Sequence, residues 1–179
     1  MEDTSLHDAF VELHGERLLG FALLVTLGDR TLAGILSSEA LAAGTERIGQ
    51  LRHPERAAAW LRARLTQEAR GPAWGHQRPT EPERREALLA LGVEPATYDA
   101  LASLDVRGRA AIAAAAVEGL TDADVHEIVG SDDRVRRARR DYLTAYVAAS
   151  GTRNAKPPAG ALTARVNATA APVRSGSKR

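Results

Sequence analysis

Apolar residues recur at helical spacing along most of this chain, in blocks that glycine or proline closes before any of them grows long. Phe10, Leu13, Leu18, Phe21, Leu24 and Val25 form the first stripe, and Ser5 and Asp8 ahead of it are spaced as a capping pair. That spacing predicts a helix from Leu6 to about Thr26. "LGDR" at 27–30 interrupts it, after which Leu32, Ile35, Leu36, Glu39, Ala40 and Ala43 share one helical side. Gly34 and Gly44 weaken this second helix by roughly 1 kcal/mol each relative to alanine. Pro54 stands where a third helix would start, because the first helical residue needs no N–H, and Ala57, Trp60, Leu61 and Leu65 supply its inner face. No stretch alternates as a half-buried strand does. The expected fold class is all-α.

The segment "GPAWGHQRPTEPERRE", 71–86, holds three prolines and two glycines and carries no periodic pattern, which predicts a flexible linker. It divides the chain into a three-helix N-terminal domain, 1–70, and a C-terminal helical domain, 87–149. In the second block "EALLALG" closes on Gly92, a helix starts on Pro95, and another runs from Val106 to Glu118 before Gly119. Thr121, with Asp124 three residues on, caps a helix whose inward residues are Val125, Ile128 and Val129. Gly130 ends it, and Ser131 caps the last helix. Residues 150–179 are Gly, Pro, Ala, Ser, Thr and basic residues, too poor in large apolar groups to fold, and are expected to be a disordered basic tail.

Charge and composition remove several function classes. The chain has no cysteine, which rules out disulfides, thiolate zinc sites and cysteine nucleophiles and fits a reducing, cytoplasmic location. The acidic start "MEDTSLHDAF" is unlike a secretory signal, and no apolar run approaches the roughly 20 residues of a membrane span. His7, His14, His53, His76 and His126 show no ligand spacing, so no metal or cofactor is expected. No catalytic constellation is visible, and the chain is not expected to be an enzyme. The formal net charge of +1 conceals an asymmetry: 150–179 carries six basic residues and no acid, leaving 18 basic and 23 acidic groups before it. A body of that sign is a poor general polyanion binder, so nucleic-acid contact has to be local or come from the tail.

The local candidate is the last helix. At about 100° per residue, Val135, Ala138, Tyr142, Ala145, Tyr146 and Ala149 fall on one side. Arg136, Arg137 and Arg140 lie opposite, flanked by Arg134 and Arg139. After a Gly130 turn this is the arrangement of a helix-turn-helix, whose second helix enters the major groove with arginines placed for guanine and phosphate. A plainer reading stands beside it. Asp132 and Asp133 precede Arg136 and Arg137 by four residues, a pairing that stabilises a solvated helix by about 0.2–0.5 kcal/mol per pair, and those carboxylates would repel phosphate. Trp60 fits a core position better than a base-stacking one, and Trp74 could anchor the linker to a partner or to its own domain.

One run carries more than a helical pattern. "LDVRGRAAIAAAAVEGLTDADVHEIVG", 104–130, follows in register a Leu-Pro-Pro-Arg-Gln-Arg start, an apolar helix, a Val-Glu-Gly-Leu-Ser turn and an Ala-Glu-Ile-Ala helix ending in Leu-Gly. Leu104, Arg107, Arg109, Val117, Glu118, Gly119, Leu120, Ala123, Val125 and Gly130 fall on matching positions. A looser match covers Gly28, Asp29, Pro54, Glu55, Arg56, Trp60 and Leu61. From about Asp8 to Tyr146 the chain thus resembles the extracytoplasmic-function sigma factors of bacterial RNA polymerase. The resemblance implies that the first domain binds core RNA polymerase and melts the promoter, while the second reads an upstream promoter element in double-stranded DNA. It assigns polymerase contacts to Asp29 and Glu39 and DNA contacts to Ser131, Arg134, Arg136, Arg137 and Arg140, and it admits an anti-sigma factor as a further partner. The chain also departs from that pattern. Leu32, Gly34, Ile35 and Ser38 replace polar groups that grip the polymerase clamp, and the turn before the last helix is one residue short. A diverged sigma fold kept as a protein-interaction scaffold is therefore the second expectation.

Overall fold

The computed structural model describes residues 2–51, 53–71 and 78–151, with side chains from Ser5 onward. Trp74, His76 and the tail beyond Gly151 lie outside the described residues. Everything regular in the described chain is helical, as the periodicity predicts: α1 (Glu2–Val25), α2 (Arg30–Thr45), α3 (Pro54–Glu68), α4 (Glu81–Leu89), α5 (Pro95–Ala102), α6 (Val106–Ile112), α7 (Asp122–Val129) and α8 (Asp132–Ser150). A five-residue π-helical segment, Ala113–Val117, continues α6.

The first helix begins earlier than Leu6, so Ser5 lies inside its opening turn instead of capping it. Its predicted stripe is buried except for Leu13, which is 57 % exposed because it borders a groove described below. In α2 the inner face is rotated from the one expected: Ala33, Leu36, Ser37, Ala40 and Gly44 are buried, whereas Ile35 and Glu39 face outward. Gly44 lies on the buried face at a close approach of three helices. A Cβ there would stand 2.9 Å from Leu61 Cδ2 and 3.1 Å from the Phe10 ring, so the missing side chain lets α1, α2 and α3 approach closely. Gly34 has nothing within 4 Å of that point and serves no such purpose.

The expected linker is shorter at its C-terminal end, because α4 starts inside it at Glu81. Thr80 N–H donates to Glu83 Oε2 at 2.7 Å and the Thr80 hydroxyl to the same oxygen at 2.7 Å. Those hydrogen bonds hold the Glu83 carboxyl below its usual range, and Pro82 sits in the first turn where it removes no helical bond. Arg85 then ties α4 to α5, reaching Glu81 at 2.8 Å and Asp99 at 2.5 Å while lying over the Tyr98 ring at 4.2 Å.

Packing continues across the break in sequence pattern. Phe10, Leu18, Phe21, Leu36 and Leu61 from the first three helices belong to the same hydrophobic cluster as Leu88, Leu101, Ile112, Ile128 and Tyr142 from the rest. α3 lies against α7, and α1 against α6. Arg109 on α6 donates from Nε to the Val25 carbonyl at 2.6 Å, placing a cation at the C-terminal end of α1, where the helix dipole favours it. Its Nη1 also donates to the Leu104 carbonyl at 2.6 Å. Gly28, with φ of +84°, closes the α1–α2 turn so near α4 that a Cβ would collide with the Arg84 carbonyl. Arg62, 2 % exposed, pairs with Glu118 and donates from Nη1 to the Ala58 carbonyl at 2.9 Å.

Candidate nucleic-acid interface

α7 and α8 meet at the turn that the glycine predicts. Thr121 Oγ1 accepts from Asp124 N–H at 3.2 Å and donates to Asp124 Oδ2 at 2.7 Å, fixing the start of α7. Val125, Ile128 and Val129 point into the core. Gly130 adopts φ of +79°, which reverses the chain without the penalty a side chain would meet. Ser131 follows with extended backbone and occupies the N-cap position of α8, but its hydroxyl makes no capping hydrogen bond. Another contact joins the two helices instead: His126 Nδ1 lies 2.9 Å from Asp132 Oδ1. This contact holds the Asp132 carboxyl below its usual range, with the Arg136 charge adding to it.

α8 is seated on α5 and α6 by its apolar stripe. Ala138, Tyr142 and Tyr146 are buried, and Val135 and Ala145 are half-buried. Burial raises the Tyr142 phenol above its ordinary value, partly offset by a hydrogen bond with Thr97. The Tyr146 hydroxyl donates to Glu94 Oε1 at 2.8 Å. This seat leaves Arg136, Arg137 and Arg140 exposed together on the outer face, as the periodicity predicts. Arg136 pairs with Asp133 one turn earlier. Arg134 is half-buried at the edge, with Nη1 3.3 Å from the Val129 carbonyl.

The remaining assigned residues are far from this helix in the chain. Asp29 is buried and caps α2, accepting from Leu32 N–H at 2.9 Å, while the Thr26 hydroxyl donates to its carbonyl at 3.3 Å. Its carboxylate thus has a structural task. Glu39 is exposed and borders a shallow depression of about 440 Å³ with Arg64, Gln67, Glu68 and Gly71. The structure therefore brings Arg134, Arg136, Arg137 and Arg140 onto α8 with Ser131 at its N-cap, and places Asp29 at the start of α2 and Glu39 further along the same helix, just past its middle.

Two features escaped the sequence patterns. The first is a groove of about 680 Å³ between the helical blocks, walled by apolar residues such as Leu24, Leu91 and Leu120. Its floor holds the Arg62–Glu118 pair and His14. The His14 imidazole is held below its ordinary value by burial first, then by the charges of Arg62 and Arg17. The second is Arg107 on α6, whose guanidinium is held below its ordinary value by burial first, then by the charges of Arg70 and Arg134, against the pull of Asp105. Arg107 was visible only as one letter of a motif. Among the described residues no group of three or more His, Asp or Glu is arranged to hold a metal ion, and no described helix is long and apolar enough to cross a membrane. No family model, curated protein or solved structure matches this chain.

Proposed function

We propose that this chain is a sigma-factor-like transcription initiation protein, which contacts duplex promoter DNA through the α7–Gly130–α8 helix-turn-helix and works with core RNA polymerase. The observation that carries the reading is α8 itself. Its buried stripe fixes the helix in rotation, so three adjacent arginines project outward immediately after a tight turn. A side chain entering the major groove from such a helix can donate two hydrogen bonds to guanine, and its neighbours can hold phosphate. Selection of bound duplexes from a random pool tests it. The chain should enrich a defined sequence, and the variant with Arg136, Arg137 and Arg140 changed to alanine should enrich none while keeping its helicity. Co-elution with core polymerase and a promoter-dependent run-off transcript test the initiation step; absence of both removes it.

A second reading, a sigma-like fold retained as a protein-interaction scaffold, is supported by a different observation. Asp29 is buried in a cap, and Arg136 is engaged by Asp133. A chain that binds no duplex but retains a protein partner through α2 or α8 fits that reading.

A further inference from the structure

The groove between the helical blocks, about 680 Å³, has the size of a small-molecule site and the mixed lining of one. Its walls are apolar at Leu13, Leu24, Leu91 and Leu120. Leu24 is buried, but Leu13 and Leu91 keep 57 % and 39 % of their surface exposed along it. Apolar surface held open to water in a concave site favours an apolar ligand that covers it.

His14 gives the groove a polar end. The ring is only 6 % exposed, lies 4.7 Å from the Phe10 ring and lines the groove. Neither of its nitrogens has a hydrogen-bond partner among the described residues. Burial, then the charges of Arg62 and Arg17, keep this imidazole below its ordinary value and so uncharged at neutral pH, which leaves one N–H to donate and one nitrogen to accept. A buried polar ring without a partner is uncommon, and a ligand in the groove can supply one.

The charges around the groove decide what that ligand carries. Arg17 lines it, is exposed, and forms no ion pair with a described carboxylate. Arg62 and Glu118 neutralise one another, and Asp124 accepts the Thr121 hydroxyl at 2.7 Å. Glu55 stays exposed in the first turn of α3 and penalises a second negative charge on anything bound there. A guanidinium without a counter-charge, beside an unpartnered N–H, suits a single carboxylate.

We propose that this groove binds an amphipathic monocarboxylate, its carboxylate held by His14 and Arg17 and its hydrocarbon body lying along Leu13, Leu24, Leu91 and Leu120. The site joins α1 to the segment after α4 and to the start of α7, so a bound ligand fastens the two helical blocks together. It does not depend on the reading of α8 as a duplex-contacting helix.

The test uses the full chain and decanoate below its micelle concentration. Calorimetric titration should give one site per chain, and the thermal midpoint should rise with decanoate concentration. Decan-1-ol and decylammonium, which carry the same hydrocarbon without the anion, should bind at least about tenfold more weakly. Arg17→Gln should weaken decanoate about tenfold and leave decan-1-ol unchanged, and His14→Phe, which keeps a ring against Phe10, should weaken decanoate by a similar factor of about ten. Leu91→Asp places a carboxylate in the apolar wall and should abolish binding of decanoate. Arg30→Gln, at the exposed start of α2 and outside the groove lining, is the control for net charge and should bind decanoate as the parent does.

No saturable decanoate binding, equal affinity for decan-1-ol or decylammonium, or an equal loss in Arg30→Gln would each overturn the site. Arg17 and Leu91 are exposed, so their variants decide the matter even if His14→Phe does not fold. Parent affinity for decanoate in both Arg17→Gln and Leu91→Asp would place any binding elsewhere on the molecule and overturn the groove as its location.

Discussion

Arg62 and Arg136 are chemically identical and do opposite work. Arg62 is almost fully buried where α3 faces the end of the π-helical segment, paired with Glu118 and lying 5.5 Å from the Phe21 ring centre. Arg136, with Arg137 and Arg140, stands in solvent on α8 and has a carboxylate partner only one turn away on its own helix. A buried charge is tolerable only while its partner remains, whereas an exposed one is nearly neutral for folding and free to act on other molecules. The seam between the helical blocks and the face of α8 are thus separable. Perturbing the first should change stability, and perturbing the second should change binding.

The sharpest way to test that separation is to leave Arg62 buried without its partner. Glu118→Ala should destabilise the fold by about 3 kcal/mol or more, read as a fall in the chemical denaturation midpoint. The double change Arg62→Met with Glu118→Leu should recover most of the loss, because apolar groups of similar volume need no counter-charge. If Glu118→Ala unfolds at the parent midpoint, the pair contributes nothing and the contrast with Arg136 collapses. Gly28→Ala attacks the same seam from the α4 side. It forces a side chain into φ of +84° and against the Arg84 carbonyl, and should cost about 2 kcal/mol.

Part of this contrast is legible in the sequence. The face of α8, the Thr121 cap, the Gly130 turn and the start of α5 at Pro95 all follow from local rules, in which each residue's role is decided within about one helical turn. The seam does not. Arg62 and Glu118 are distant in sequence, and nothing near either names the other. The π-helical stretch Ala113–Val117 that leads into Glu118 is nearly all alanine, so no side-chain pattern marks the change of pitch. Leu13 continues the α1 stripe, and only the groove explains its exposure. The start of α4 did carry a local signal, Thr80 with Glu83, but prolines on both sides made the segment look like a linker. Asp29 matched a family position, yet its burial as a helix cap depends on how the α1–α2 turn folds.

A smaller effect on the seam is expected from pH. The native His14 pKa is lowered, so between that value and the ordinary histidine value of 6.5 the unfolded chain binds more protons than the folded one. Stability should therefore fall as the pH drops below about 6.5 and level off once the native value is passed. Above that window the His14 contribution is fully present. His14→Gln should flatten this part of the profile. A parent profile with no slope attributable to His14 would mean that its ring titrates as in the unfolded chain, and that burial beside Arg62 and Arg17 has no energetic consequence.

The smallest stability effect belongs to α8, and it is the most informative. Arg136→Ala, Arg137→Ala and Arg140→Ala should each shift stability by no more than about 0.5 kcal/mol. Alanine is a better helix former than arginine, and Asp133, which pairs with Arg136, forms only an exposed pair. The combined variant should therefore melt close to the parent while losing sequence-dependent duplex binding. A large fall in melting temperature would place these side chains in the fold instead of on a working surface, which would erase the distinction between Arg136 and Arg62. Retained stability with unchanged duplex selection would keep the distinction in energy but remove α8 as the reading helix. The outcome depends on the rotation of α8, and that rotation is fixed by Ala138, Tyr142 and Tyr146 on the buried side. Three residues facing the core thus determine which three arginines meet the outside.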